Sequence, residues 1–261
     1  MYDFDFAKPT TLAEAVKLLA EEDAQALGGG QTLIPTLKAR LAMPSTLVSL
    51  AGIAEMKGIR QEGDVLTIGG GVTHAQIARE ATAYRGLAAQ ALQIGDPAVR
   101  NRGTLGGSLA NNDPSACYPA AVLASDATIV TDRREIAAAD YFQGMFTTAL
   151  DEGEIVTAVR FPIPQAAAYV KFEQPASHFA LVGVFVAKYA DGVRVAVTGA
   201  SNEGVFRWAE AEAALDKSFS AEAVKGMVAD ADGMIDDIHG SADYRAHLAG
   251  VLTARAVTAA G

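Results

Sequence analysis

Leu27-Gly28-Gly29-Gly30-Gln31-Thr32-Leu33-Ile34-Pro35 is the stretch on which the reading of this chain turns. Consecutive glycines strip the Cβ atoms from a turn, so successive backbone N–H groups can point outward as a concave anion site. A second run, Asn101-Arg102-Gly103-Thr104-Leu105-Gly106-Gly107-Ser108, repeats the pattern further along. Each follows an apolar stretch. Taken singly, either run reads equally well as a tight turn. Together they suggest a phosphate- or pyrophosphate-bearing ligand clamped from two sides.

The common phosphate motifs are excluded by spacing. A Gly-x-Gly-x-x-Gly fingerprint would need glycine at Leu33 after the first run, or at His74 after Gly69-Gly70-Gly71. No Gly-x-x-x-x-Gly-Lys-Ser/Thr occurs, so a nucleoside-triphosphate loop is absent. The four histidines form no pattern with cysteine or carboxylate at metal-ligand spacing. His74, which follows the third glycine run, Gly69-Gly70-Gly71, reads either as a residue beside the bound ligand or, in the leading reading, as a capping or surface residue. No Gly-x-Ser-x-Gly elbow is present either. Asp151, Glu152 and Glu154 read as a small solvated acidic turn. Arg100 and Arg102, beside the second run, are placed either to help with a pyrophosphate or to pair with a partner subunit.

Composition bounds the remaining classes. The chain has 261 residues, half of them apolar and a fifth charged, enough for one large domain or several small lobes. A net charge of −10 argues against a nucleic-acid surface. No apolar run reaches the length of a membrane span. The acidic start, Met1-Tyr2-Asp3-Phe4-Asp5-Phe6, lacks the basic and apolar regions of a signal peptide, so a cytoplasmic location is expected. With one cysteine, Cys117, the chain can hold neither an internal disulfide nor a cysteine-ligated iron–sulfur cluster.

Three parts are expected, residues 1–54, 55–165 and 166–261. The first opens on Thr11-Leu12-Ala13-Glu14, a capping-box pattern ahead of Leu12, Ala15, Val16 and Leu19 at helical spacing. A short strand over 46–50 follows the first glycine run. In the second part, strands are expected at 65–68, 127–130 and 155–161, with helices at 75–91 and 119–124. Pro162-Ile163-Pro164 stops the last strand and marks a boundary. Beyond it, strands at 181–187 and 193–198 pair across Asp191-Gly192, and helices are expected near 207–216, 220–231 and 241–259. The last carries Tyr244, Leu248, Val251 and Leu252 on one face.

Taken in order, the first glycine run, Thr67-Ile68-Gly69-Gly70-Gly71-Val72-Thr73, and Asn101 through Ala110 resemble the FAD-binding medium subunit of molybdenum hydroxylases. Within that family they resemble the carbon monoxide dehydrogenase type, related to the FAD domain of xanthine dehydrogenase. Likeness continues through Asn112-Asp113-Pro114, Arg160-Phe161-Pro162, Lys171-Phe172, Pro175-Ala176-Ser177 and Gly240-Ser241-Ala242-Asp243-Tyr244-Arg245, covering nearly the whole chain. The resemblance implies an α+β fold: a two-lobed vanillyl-alcohol-oxidase-type FAD-binding domain, then a C-terminal domain of antiparallel sheet plus helices. It implies that Leu27, Gly28, Gly29, Gly30, Gln31, Thr32, Leu33 and Ile34 wrap the FAD pyrophosphate. Thr104, Leu105, Gly106, Gly107 and Ser108 would reach the cofactor from the other lobe.

Further positions carry over singly. Ile94 and Val156 match apolar family positions near the flavin, with plain core packing as the competing reading. Lys171 matches a lysine that contacts FAD, against the alternative of a solvated surface lysine. At Cys117 the family usually places an aspartate that accepts hydrogen bonds from ribityl or ribose hydroxyls. A thiol does this poorly, at a cost of about 1 kcal/mol. No acid–base residue is expected to be essential, because the chemistry belongs to the cofactor.

The implied role is electron transfer in a heterotrimer, assembled as a dimer of heterotrimers. A molybdopterin-binding large subunit oxidises substrate, a small subunit relays electrons through two [2Fe-2S] clusters, and FAD on this chain passes them to an external electron acceptor. Two alternatives remain at this stage. One is an autonomous reductase, since the first run also resembles the pyrophosphate loop of UDP-N-acetylenolpyruvoylglucosamine reductase. The other is a scaffold subunit that has lost FAD.

Overall fold

The computed structural model describes residues 1–261, which build three separate sheets. The first is parallel, in the order β1 (Asp5–Ala7), β3 (Thr46–Ser49), β2 (Ala24–Leu27). Parallel neighbours require crossovers, supplied by α1 (Leu12–Leu19) and α2 (Leu33–Lys38). The capping box forms as the sequence reads: Thr11 Oγ1 accepts the Glu14 N–H at 3.2 Å, and the Glu14 carboxylate accepts the Thr11 N–H. The first glycine run leaves the carboxyl end of β2, which is where open sheets of parallel strands place ligands.

The second sheet is antiparallel, in the order β4 (Ile59–Glu62), β5 (Val65–Gly69), β8 (Val156–Pro162), β6 (Thr128–Thr131), β7 (Glu135–Ala137). One face is covered by α3 (His74–Glu80), α4 (Arg85–Leu92), α6 (Leu105–Asn111) and α7 (Tyr118–Ala124), with α5 (Pro97–Arg102) and α8 (Ala138–Tyr141) at its margins. The single helix expected over 75–91 is in fact two. Tyr84 leaves the helical path to bury its ring edge-on to Phe161 and Phe185, with its hydroxyl 2.8 Å from Ser125 Oγ. Tertiary packing overrides local propensity there.

The third sheet is an antiparallel meander of β9 (Ala166–Glu173), β10 (Ala180–Tyr189), β11 (Gly192–Ser201) and β12 (Gly204–Arg207). The β10–β11 pair turns across Ala190-Asp191, with Tyr189 opposite Gly192. Side chains alternate between two cores along β10. Val182, Val184 and Val186 join α9 (Ala209–Lys217) and α10 (Ala242–Ala260), while Phe185 and Ala187 join the core of the second sheet. Only a 3-10 turn, Ala221–Val224, forms within the helix expected at 220–231. The chain reverses at Gly226, and the Met227 carbonyl then packs onto Gly250 of α10, leaving no room for a Cβ there. On α10 the buried stripe includes Ala246, Leu248, Ala249 and Leu252, while Tyr244 stays partly exposed against the Phe172 ring. No helix is long and apolar enough to cross a membrane.

Candidate functional site

A cavity of about 720 Å³ opens beside the first glycine run, walled by α6, the β8 start and the turn joining β9 to β10. That volume lies within the range of small-molecule and cofactor sites. Its most telling property is backbone polarity. None of the N–H groups from Gly28 to Leu33 has an acceptor within the chain; the run's own bonds begin with Ile34 N–H to the Gly30 carbonyl at 3.1 Å. Backbone donors normally find partners, so a continuous row of free ones facing a cavity is a site made for an anion.

The second glycine run behaves differently. Thr104 caps α6, its Oγ1 accepting the Gly107 N–H at 3.2 Å. Leu105 donates to the Val72 carbonyl at 3.1 Å, Gly106 to Gly70 at 2.9 Å, and Ser108 to Thr104 at 3.0 Å. The N–H groups of Leu105 through Ser108 are therefore engaged by the fold itself, while that of Thr104 has no acceptor in the chain. Its glycines serve close packing instead. A Cβ on Gly106 would lie 2.9 Å from the Gly70 carbonyl oxygen, and one on Gly29 would overlap the Arg102 carbonyl. The two runs pack backbone against backbone. The second is the floor on which the first rests.

Of the positions singled out in sequence, Leu27 through Leu33, Ile94, Thr104, Gly106, Gly107, Ser108, Cys117 and Val156 all line this cavity. Three do not. Ile34 is 36 % exposed beyond its edge, and Leu105 is fully buried beneath its floor. Lys171 lies behind the wall with its side chain only 3 % exposed, neither a solvated lysine nor a lining residue. Its ammonium donates to the Gln93 carbonyl at 2.8 Å and to the His178 carbonyl, and pairs with Glu173 at 3.5 Å. It fixes two turns that do line the cavity, one carrying Ile94 and Gly95, the other Ser177, His178 and Phe179.

Several neighbours also depart from the sequence reading. His74 is neither cap nor surface residue: Thr73 caps α3, and His74 is 4 % exposed in the cavity wall, its ring tilted against Tyr118 and touching Gly103. Burial, and then Arg100, push its pKa down to about 4, so the imidazole is neutral at pH 7. Arg100 itself donates to the carbonyls of Ile94 and Gly95 at 3.0 and 2.7 Å, a structural role. Arg102 is exposed at the cavity margin. Glu154 is buried, not solvated. Burial would raise its pKa, but hydrogen bonds from Arg134, the Asp151 N–H and Thr131 outweigh that and hold it at about 2. Burial pushes the Cys117 thiol up, so it stays protonated at neutral pH.

Some lining residues escaped the sequence reading. Asp96-Pro97 is a helix-start signal, since Asp96 accepts the Val99 N–H at 2.8 Å and Pro97 occupies the first helical position of α5. Reading it would have placed Val99 and Arg102 on a helix at the cavity. Lys57, His178 and Phe179 carry no local signal for the cavity, and Asp113 and Ser177 were read only as members of family motifs; tertiary structure brings all of them there.

A parallel sheet ending in a row of free N–H donors, set over an antiparallel lobe, defines a binding module for a phosphate-bearing cofactor. Comparison with known proteins gives that module a family. The sequence family described as FAD binding domain in molybdopterin dehydrogenase matches residues 2–164. The carbon monoxide dehydrogenase medium chain of Afipia carboxidovorans is 35 % identical over 97 % of this chain and 95 % of its own. The nicotine 6-hydroxylase medium subunit of Paenarthrobacter nicotinovorans is 36 % identical, over 98 % and 96 %. Quinoline 2-oxidoreductase from Pseudomonas putida 86 superposes with a TM-score of 0.89 at 31 % identity, covering 99 % of this chain and 97 % of that one. The chain belongs to the FAD-binding medium subunits of the molybdenum hydroxylases, and is an oxidoreductase subunit with FAD as its cofactor.

Proposed function

We propose that this chain is the electron-transfer subunit of a heterotrimeric molybdenum hydroxylase. A large molybdopterin-binding subunit oxidises the substrate, and a small subunit with [2Fe-2S] clusters delivers the electrons. When bound, FAD takes up two electrons and releases them singly or in pairs, which lets it join iron–sulfur clusters to an external acceptor. The two N-terminal sheets are read as the lobes of a vanillyl-alcohol-oxidase-type domain, and the complex as a cytoplasmic dimer of heterotrimers. The medium-chain and medium-subunit names of the relatives support the three-subunit reading.

The observation that carries the reading is the unbroken row of unpartnered N–H groups from Gly28 to Leu33. These groups would hold the pyrophosphate, with the neutral dipoles of the turn meeting its charge in an otherwise acidic protein. Ile94 and Val156 supply apolar wall, and His74 stands in it uncharged. Lys171 positions the two turns that close the cavity. The chain's own residues bind and orient the cofactor; none is placed to transfer a proton.

An affinity-tagged chain purified from its native host with its companions tests this. Flavin absorbance together with iron–sulfur absorbance is expected. Flavin alone, with NADPH oxidised by the lone chain, would support a solitary reductase. Absence of flavin would overturn the electron-transfer role.

A further inference from the structure

The fold leaves one carboxylate in the cavity wall without a positive partner. Asp113 lies just past α6 and lines the cavity. Its Oδ1 accepts the Ser115 N–H at 2.9 Å. Burial pushes its carboxyl above the usual range, opposed only by that one N–H. The other wall carboxylate, Glu154, is engaged by Arg134, Thr131 and the Asp151 N–H. Asp113 is thus the wall carboxylate with an oxygen, Oδ2, left for a ligand.

The segment is pinned on both sides. Asn112 caps α6 in the left-handed region, φ 41°, and its Nδ2 donates to the carbonyls of Gly144 and Thr147, each at 2.8 Å. On the other side β11 reaches in. The Gly199 N–H donates to the Pro114 carbonyl at 2.8 Å, and the Thr198 hydroxyl lies 2.9 and 2.8 Å from the carbonyls of Pro114 and Ala116. A half-buried, unpaired charge held this firmly carries a desolvation cost that an arriving donor offsets. Asp113 also stands on the wall formed by α6, whose first turn underlies the Gly28–Gly29 turn. Seven residues of helix separate the two, about 10 Å. Beyond its pyrophosphate, FAD offers hydroxyl groups on both sides, and hydroxyls are good donors to a carboxylate.

We propose that Asp113 is a further FAD-binding residue, its Oδ2 accepting a hydrogen bond from a hydroxyl of the ribityl chain or of the adenosine ribose. The assignment rests on the FAD reading of the cavity. It also accounts for a working site with Cys117, whose protonated thiol accepts poorly.

Asp113→Asn keeps an oxygen for the Ser115 N–H while removing the charge, so the local turn survives. Full-length apoprotein of both forms is titrated with FAD, riboflavin and ADP, and the melting temperature of each apoprotein is recorded. The expected result is FAD affinity about tenfold weaker at an unchanged melting temperature. A parallel loss for riboflavin assigns the ribityl hydroxyl; a parallel loss for ADP assigns the ribose. Should the Asn form melt early, Asp113→Ser, which also retains an acceptor for Ser115, carries the same test. Equal FAD affinity in wild type and variant overturns the assignment while the cavity reading stands. A loss for FAD with neither fragment affected overturns it as well. Failure of the wild type to bind FAD removes the cavity reading, and the assignment with it.

Discussion

Gly29 has a neighbour it cannot give way to, because the atom its Cβ would overlap is the Arg102 backbone carbonyl. Gly29→Ala is expected to destabilise the chain by about 1–3 kcal/mol and to weaken FAD retention; thermal melting and gel filtration with FAD check both. Two buried titratable residues set the acid response. His74, lowered to about 4 from 6.5, stays neutral when folded, so its contribution is present above pH 6.5 and is lost as pH falls through about 4. Glu154, lowered to about 2 from 4.5, contributes above pH 4.5 and loses that as pH falls through about 2. Melting temperature against pH should therefore decline in two windows. His74→Gln should flatten the upper one and Glu154→Gln the lower. The burial of neither residue was legible in sequence, because a lone histidine and a short acidic run look solvated until the chain folds over them. Its place after a glycine run did put His74 among the candidates for the ligand's surroundings.

Elements were readable where a local rule governs them. Thr11-Leu12-Ala13-Glu14 forms its capping box, and the β10–β11 hairpin forms with its turn at Ala190-Asp191, one residue ahead of the Asp191-Gly192 expected. Both depend on neighbours in sequence. The two misread helices depend on distant partners, Tyr84 on Phe161 and Phe185, and Met227 on Gly250. The glycine runs illustrate the same division. Glycine spacing reveals a turn without Cβ atoms, but not whether its N–H groups are already engaged. In the first run they are free; in the second those of Leu105 through Ser108 bond to Val72, Gly70 and Thr104. Lys171 acts at this scale too. Lys171→Met leaves the carbonyls of Gln93 and His178 without their ammonium donor, a loss of about 1–3 kcal/mol. Faster amide exchange across residues 174–179 is the expected signature, and unchanged exchange would deny the tether.

For the whole molecule, the C-terminal sheet is coupled to the cofactor cavity without lining most of it. β10 feeds two cores, and Thr198 and Gly199 of β11 hold the segment that carries Asp113 and Cys117. Arg245, the last residue of a motif quoted from the sequence, donates to the carbonyls of Leu181 and Gly199 at 2.9 and 2.8 Å and so steadies those strands. The order of motifs made the family legible; this coupling was not, because it runs through backbone carbonyls that no side-chain pattern announces. Relatives of similar likeness carry the names of different substrates, carbon monoxide and nicotine, so likeness alone assigns this chain none. The proposed function rests on a pyrophosphate grip at the Gly28–Leu33 turn. Its most direct test is a fluorescence titration of the full-length apoprotein with FAD and with riboflavin, which lacks the pyrophosphate. FAD is expected to bind at least about a hundredfold tighter, near 3 kcal/mol. Equal affinity for the two flavins would contradict it.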